Sequence, residues 1–419
     1  MDPVKTLDRL NNLLRHCQKS VPFYRDRLSA APLQSLKDFR NLPLTRKADL
    51  WEHDPLGMVA VPEVELSQYH ESAGTTGRPV SVWLTREDLT ADATALSAWG
   101  AGFQSTDLVM VRFPYSISGV APAVTAAAQQ RGACVIPAGN RSAVTPFPRV
   151  VNLLRKLRAT VLACLPLQAL LIGETAMAMG LAPGKDFPDL RAICVTGETL
   201  APGRRKTVAD LWGVPVFAAY YGTEFGTAAM DCPAQRSHPL DEHFFFEILR
   251  NDLVTPAAPD EIGNLVLTTF KRRGTPLIRY LTEDRARLIP GRCACGAAVS
   301  LEIRGRATEV LPFQHRTLDL WDVQEIVAQL PSQRFWVAAS HRDILDLTIE
   351  SEGDKARIGP AALQPLEKAC GVKIRTREVP PGTLYNREAL LSVGVVGKPQ
   401  YIYSAAEMAA EKYLNSARI

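Results

Sequence analysis

Runs of like charge are missing from this sequence. Its 48 lysines and arginines stand against 44 aspartates and glutamates, a net charge of only +4 over 419 residues. No lysine- or arginine-rich stretch interrupts the chain, which removes nucleic acid as the default partner. Long uninterrupted apolar runs are missing too. The most apolar region, 160–182, is broken by Pro166, Gln168, Gly173 and Glu174, so it does not read as a membrane span. A signal-peptide core is lacking at Met1-Asp2-Pro3-Val4-Lys5, which leads to the expectation of a cytoplasmic protein. Eight cysteines are scattered without an export signal, so they are expected to be buried or metal-bound rather than paired. No internal repeat or low-complexity segment stands out.

What is present is ordinary in bulk. Apolar residues make up 46% and charged residues 22%, as in a globular protein, and the length allows more than one domain. The stretch that organises the reading is Ser72-Ala73-Gly74-Thr75-Thr76-Gly77-Arg78-Pro79, just after an extended run at 66–70. Glycine lets the backbone approach an anion closely, successive N–H groups form a donor nest, and hydroxyls with a cation complete it. Such chemistry suits phosphate, although the stretch does not follow the Walker A pattern G-x-x-x-x-G-K-[ST]. Taken alone, it reads equally as a glycine-rich surface turn.

Apolar positions at helical spacing (Leu7, Leu10, Leu13, Leu14) predict a helix within 6–28, ending in the aromatic pair Phe23 and Tyr24. From residue 108, short apolar runs at 108–113, 133–137, 160–164, 192–196 and 214–219 alternate with helical patterns at 120–131, 148–158, 167–179 and 202–212. This alternation predicts a parallel sheet covered on both faces, with ligands beyond the carboxyl ends of its strands. After Gly222, runs at 243–249, 264–270 and 277–281 read as consecutive strands. Beyond Arg306 the pattern is a helix at 320–330, strands at 334–339 and 343–350, a helix at 360–370 and a strand at 373–379. The expected fold class is therefore α/β. A large N-terminal domain, 1–306, carries a mostly parallel sheet and a β-rich subdomain, and a small α+β domain follows at 307–419.

Four further stretches bear on the opening loop. Val195-Thr196-Gly197-Glu198-Thr199 and Tyr220-Tyr221-Gly222-Thr223-Glu224 each stand at the end of a predicted strand. Pro276-Leu277-Ile278-Arg279-Tyr280-Leu281-Thr282-Glu283-Asp284 and Ile303-Arg304-Gly305-Arg306 follow. In this order the set resembles the adenylate-forming superfamily, and within it the phenylacetate–CoA ligase-like branch. The narrower likeness rests on Val21-Pro22-Phe23-Tyr24, the Cys232 segment, Asp241-Glu242-His243-Phe244 and Cys293-Ala294-Cys295-Gly296. It covers most of residues 20–310.

The resemblance implies a two-step reaction in which a carboxylate attacks the α-phosphorus of ATP and a thiol then displaces AMP. It implies that Ser72, Gly74, Thr75, Thr76, Gly77 and Arg78 hold phosphate, with Gly197, Glu198 and Gly222 also at the nucleotide. Tyr221 corresponds to the residue stacked on adenine; a tyrosine at a strand end is equally simple packing. Glu224, beside Thr223, corresponds to the Mg²⁺-associated glutamate, though an acidic residue also suits a helix entry. Asp284 and Arg306 correspond to groups at the ribose, and read alone are a turn aspartate and a salt-bridging arginine. Lys398, in Val395-Val396-Gly397-Lys398-Pro399, follows Pro380-Pro381-Gly382-Thr383-Leu384. It corresponds to the lysine that a mobile small domain brings to the carboxylate and α-phosphate together; its bland reading is a solvated turn residue. Phe113, Tyr115 and Tyr220 are candidate walls for a flat, aromatic acid.

The sequence departs from the family at several points. Arg78 stands where lysine is usual, Glu283 replaces the glycine of a T-G-D triplet, and Thr308 replaces the hinge aspartate after Arg306. The segment 311–316 lacks the glycine-containing loop of relatives, so the resemblance carries adenylation further than it carries the acceptor.

Cys17, Cys134, Cys164, Cys194 and Cys370 lie in apolar or helical contexts and are expected in the core. Cys232, His238, Cys293 and Cys295 instead offer a Cys₃His set, enough for a closed, structural Zn²⁺ within 225–300. The expected function is that of an ATP-dependent, AMP-forming acid–thiol ligase using ATP/AMP, Mg²⁺, structural Zn²⁺ and coenzyme A. One alternative passes acyl-AMP to a carrier-protein thiol or an amine; another is a non-catalytic nucleotide-binding relative. The expected partners are a small carboxylic acid and ATP, with an acyl-carrier protein as a further candidate. Nucleic acid and membrane are not expected, and the chain is expected as a monomer or homodimer.

Overall fold

The computed structural model describes residues 2–29, 31–72, 78–140, 142–352, 358–386 and 399–414. The chain divides into two compact units that interleave along the sequence. One comprises Met1–Thr106, Pro114–Val135 and Phe217–Ile303; the other comprises Asp107–Phe113, Ile136–Val216 and Arg304–Ile419. No helix among the described residues is long and apolar enough to cross a membrane.

In the second unit the strands Leu108–Val111, Val161–Cys164 and Ala192–Val195 pair in parallel, with Val109 opposite Val161 and Cys164 opposite Val195. Every residue of the latter two strands is buried, as a sheet covered on both faces requires. The helices Phe147–Lys156, Pro166–Ala178 and Pro202–Trp212 each carry proline in the first turn, where its missing N–H has no helical partner to lose.

The C-terminal part of this unit opens with the hairpin Val310–Phe313 and Arg316–Asp319. Asp319 caps the helix Leu320–Val327 in a capping box with Asp322. Trp336–His341 pairs antiparallel with Ile344–Glu350, which pairs in parallel with Lys373–Val379 across the helix Pro360–Cys370. Leu311, Val323, Trp336, Leu347 and Ile374 fill its core.

In the first unit, the helix expected within 6–28 is two pieces, Pro3–Ser20 and Pro22–Arg25. Val21 between them is extended, the conformation a following proline favours. Tyr24 is buried and its hydroxyl joins Thr45 Oγ1 at 3.0 Å and the Ile278 N–H at 2.9 Å, tying this segment to the β-rich region. There, Phe244–Leu249 pairs antiparallel with Gly263–Thr269, and that with Tyr280–Pro290. The last strand starts later than the expected 277–281. Arg279 has φ of 49°, a left-handed conformation that stops a strand. Its buried guanidinium is paired with Glu247 at 3.1 Å and donates to the carbonyls of Arg40 and Leu42. The meander Val216–Gly222, Gly226–Asp231, Ser237–Pro239 is antiparallel; its last two strands were not expected. Cys17, Cys164, Cys194 and Cys370 are buried, but Cys134 is exposed at the start of the short strand Cys134–Pro137.

Candidate active site and metal centre

The candidate phosphate stretch lies in sequence between two paired strands. Leu66–Glu71 pairs antiparallel with Ser81–Thr85, and the base of the loop is closed at Ser72. The Ser72 N–H donates to the Val80 carbonyl at 2.8 Å, and the Val80 N–H donates to Ser72 Oγ at 2.9 Å. Arg78 is exposed, 3.7 Å from Asp54. Gly74, Thr75, Thr76 and Gly77 lie outside the described residues, as does Lys398.

Tyr115, Tyr220, Tyr221, Gly222, Thr223, Glu224 and Asp284 belong to the first unit. Tyr220 is half-buried and donates its hydroxyl to Asp284 Oδ2 at 2.5 Å, so the candidate ribose carboxylate is oriented by a candidate pocket wall. Glu224 accepts from the Tyr280 hydroxyl at 3.3 Å, with Thr223 and Gly222 half-buried beside it. The Tyr221 hydroxyl lies so close to Gly119 that a Cβ there would stand 2.4 Å from it. Only glycine fits at that approach. Burial pushes the Tyr221 phenol above its ordinary range. Tyr115 is half-buried, its hydroxyl 2.9 Å from Thr125 Oγ1.

Phe113, Gly197, Glu198 and Arg306 belong to the second unit. Phe113 is buried. Gly197 adopts φ of 89° at the carboxyl end of Ala192–Val195, a turn that favours glycine. It presents Glu198, whose Oε2 accepts from the Tyr401 hydroxyl at 3.0 Å. Arg306 is half-buried, and its carbonyl accepts from the Glu309 N–H at 3.0 Å.

The cysteine–histidine set converges. The ligand atoms of Cys232, His238, Cys293 and Cys295 all lie within 4.8 Å of one another. Cys232 Sγ stands 3.7 Å from Cys293 Sγ, and Cys295 Sγ stands 3.3 Å from His238 Nε2. With metal–sulfur bonds of about 2.3 Å, two thiolates of a tetrahedral site are about 3.8 Å apart, so the spacing fits zinc. His238 Nδ1 meets the Val299 carbonyl at 2.6 Å. A proton held there leaves Nε2 bare for a metal, the usual outer support of a histidine ligand. The Cys293 thiol is drawn down to about 6, first by a hydrogen bond to the Cys295 backbone, which favours the thiolate a metal needs.

Sequence reasoning missed the residues that hold Glu198 in place. Tyr401 is one, and the alternation Tyr401-Ile402-Tyr403 was the available signal of an extended segment. Arg204, which donates to the Tyr401 hydroxyl, and Gln324, which bonds Thr199 and Ala201, support that contact, both buried on helices where nothing in the pattern marks them. The buried pair Arg272–Asp92, 3.1 Å apart, was likewise not foreseen.

Residues 60–243 match the model of the AMP-binding enzyme family. The chain is 30% identical over 334 residues to the phenylacetate–coenzyme A ligase of Pseudomonas putida, covering 74% of each. It is 27% identical over 387 residues to that of Thermus thermophilus, covering 89% of this chain and 84% of the relative. Among solved structures it is similar to 2-hydroxyisobutyryl-CoA ligase in the postadenylation state with 2-HIB-AMP. That likeness has a TM-score of 0.85 at 22% identity and covers 98% of this chain and 91% of the other. The same ligase in the thioesterification state gives a TM-score of 0.68, with 97% and 90% covered at 22% identity. The chain belongs to the AMP-binding, adenylate-forming enzymes, in their phenylacetate–CoA ligase-like branch.

Proposed function

We propose that this chain is an AMP-forming acid–CoA ligase: it converts a carboxylic acid and ATP to acyl-AMP and pyrophosphate, then transfers the acyl group to coenzyme A. The observation that carries this reading is the 30% identity to the phenylacetate–CoA ligase of Pseudomonas putida over 74% of both chains. Acid and triphosphate are both anionic, so the site must hold them together and stabilise charge spreading onto phosphate oxygens. Positioning of this kind supplies roughly 7–11 kcal/mol of such a barrier.

In this reading the loop from Ser72 to Arg78 cradles phosphate, and Gly197, Glu198, Tyr221 and Gly222 border the nucleotide. Asp284, oriented by the Tyr220 hydroxyl, takes the ribose hydroxyls, a role that Arg306 shares. Glu224, with Thr223, would hold Mg²⁺, which neutralises phosphate charge when bound. Lys398 bridges carboxylate and α-phosphate. Residues 307–419 act as a small domain that rotates about 306–309 between the two steps. The Cys₃His set holds a structural zinc. The acid is aromatic, against walls that include Phe113, Tyr115 and Tyr220, and the reaction belongs in the cytoplasm, where ATP and coenzyme A are supplied.

A carrier-protein thiol is the second reading for the acceptor. The hairpin Val310–Phe313 and Arg316–Asp319 favours it, because a tight turn stands where relatives have a glycine-containing loop.

Glu224→Gln and Asp284→Ala should each slow pyrophosphate release by 2.7–4 kcal/mol of barrier, roughly 100- to 1,000-fold, with the fold intact by circular dichroism. Near-normal release in both variants would remove the site assignment. Lys398→Ala should stop adenylation yet still process supplied acyl-adenylate.

A further inference from the structure

The segment 401–403 reaches Glu198 directly. The Ala338 N–H donates to the Tyr401 carbonyl at 2.8 Å and the Tyr403 N–H to the Ala338 carbonyl at 2.9 Å, so 401–403 is joined by a single parallel bridge to Trp336–His341. Tyr401 is buried, its ring packed on Trp336 with centroids 5.0 Å apart. Its hydroxyl sits between opposite charges. It donates to Glu198 Oε2 at 3.0 Å and accepts from Arg204 Nη2 at 3.2 Å.

We propose that Tyr401 is a positioning residue for the first half-reaction: its hydroxyl latches the end of the chain onto Glu198, and the latch opens before the acceptor thiol attacks. This rests on the ligase reading above. Two observations support it.

Neighbouring contacts run the same way. Gln324 spans the loop after Glu198, its Oε1 accepting from the Ala201 N–H at 2.8 Å and its Nε2 donating to the Thr199 carbonyl at 3.1 Å. Glu325 Oε1 accepts from the Gly203 N–H at 2.6 Å. These contacts of 198–203 are all made by residues beyond 306, and a rotation of 307–419 would break them together.

The second observation is that the hydroxyl is spent on polarity rather than on packing. The ring already fills its place against Trp336, while the oxygen joins a carboxylate to a guanidinium in a buried setting, where such bonds are strong.

Tyr401→Phe removes the hydroxyl and keeps the ring. In the full chain without substrates, hydrogen–deuterium exchange over 198–204 and 399–403 should speed about tenfold, with exchange over 244–249 unchanged. Pyrophosphate release with ATP and an accepted acid should fall about tenfold in kcat. Thioester formation from supplied acyl-adenylate and coenzyme A should stay the same or rise. Unchanged exchange in both segments, or both half-reactions falling equally, would overturn the latch. If the unaltered protein releases no pyrophosphate with any acid, the ligase reading fails, and the exchange arm still decides whether Tyr401 holds Glu198.

Discussion

Glu283 is where a single residue out of pattern has a measurable consequence. The family places glycine between the threonine and aspartate of this turn, and here Glu283 occupies it with φ of 64°. A side chain in the left-handed region costs about 1–2 kcal/mol, and Lys47 offsets part of that by holding the carboxylate at 2.9 Å. Glu283→Gly and Glu283→Ala both lose the ion pair, but only alanine keeps the strained backbone. Glycine should therefore leave the protein roughly 1 kcal/mol more stable than alanine in urea unfolding; equal stabilities would contradict the backbone account. His243 makes a second case. Burial, then the charge of Lys271, lowers its folded pKa from 6.5 to about 4. At pH above 6.5 the ring is neutral folded or unfolded and contributes nothing. As pH falls from 6.5 towards 4 the unfolded chain takes up the proton first, so stability is lost across that window. His243→Gln should flatten the acid limb of the stability curve by about 1–2 kcal/mol, allowing for screening of a partly exposed ring. A curve identical to that of the unaltered protein would contradict it. The sequence showed Glu283 to be out of place, but not Arg279. The left-handed turn at Arg279 is held by a pairing with Glu247, 32 residues away, that no local pattern records.

Elements differ in how plainly the sequence announces them. The parallel strands were legible because each is a short apolar run buried on both faces, and helices opening on proline fill the gaps between them. Tyr280–Pro290 was only half legible. Its middle alternates buried and half-buried positions with charges at Glu283, Arg285 and Arg287, so the apolar run stops well before the strand does. Gly226–Asp231 and Ser237–Pro239 were missed because Ser237–Pro239 is three residues long and has little apolar pattern. The metal set explains how such a short strand is fixed. Cys232 and His238 flank or lie in it, and Cys293 and Cys295 sit in the turn between Tyr280–Pro290 and Val299–Arg306, so one ion would staple the two turns. Elemental analysis of protein prepared without added metal should find about one zinc per chain. Cys293→Ser should lower the melting temperature while leaving pyrophosphate release near normal at low temperature. Well-folded, active protein with no zinc would contradict this.

For the whole molecule, the order of motifs carried more than any one of them. Each of the five stretches has a bland reading alone, and their sequence along the chain gave the family that the comparisons support. What order could not give was the spatial company of each residue: Asp284 beneath the Tyr220 hydroxyl, and Glu198 beneath that of Tyr401. Those pairings join positions 64 and 203 residues apart, and only the folded sheet brings them together. The central claim is that this site joins a carboxylate to coenzyme A through an adenylate. Its most direct test is to incubate the chain with ATP, Mg²⁺, coenzyme A and a panel of aromatic and aliphatic carboxylic acids, reading pyrophosphate and product mass together. The account predicts acid-dependent pyrophosphate release, strongest with a flat aromatic acid, and a product heavier than coenzyme A by the acid less one water. Pyrophosphate release that no acid in the panel stimulates, with no acyl-adenylate or thioester at any mass, would contradict it.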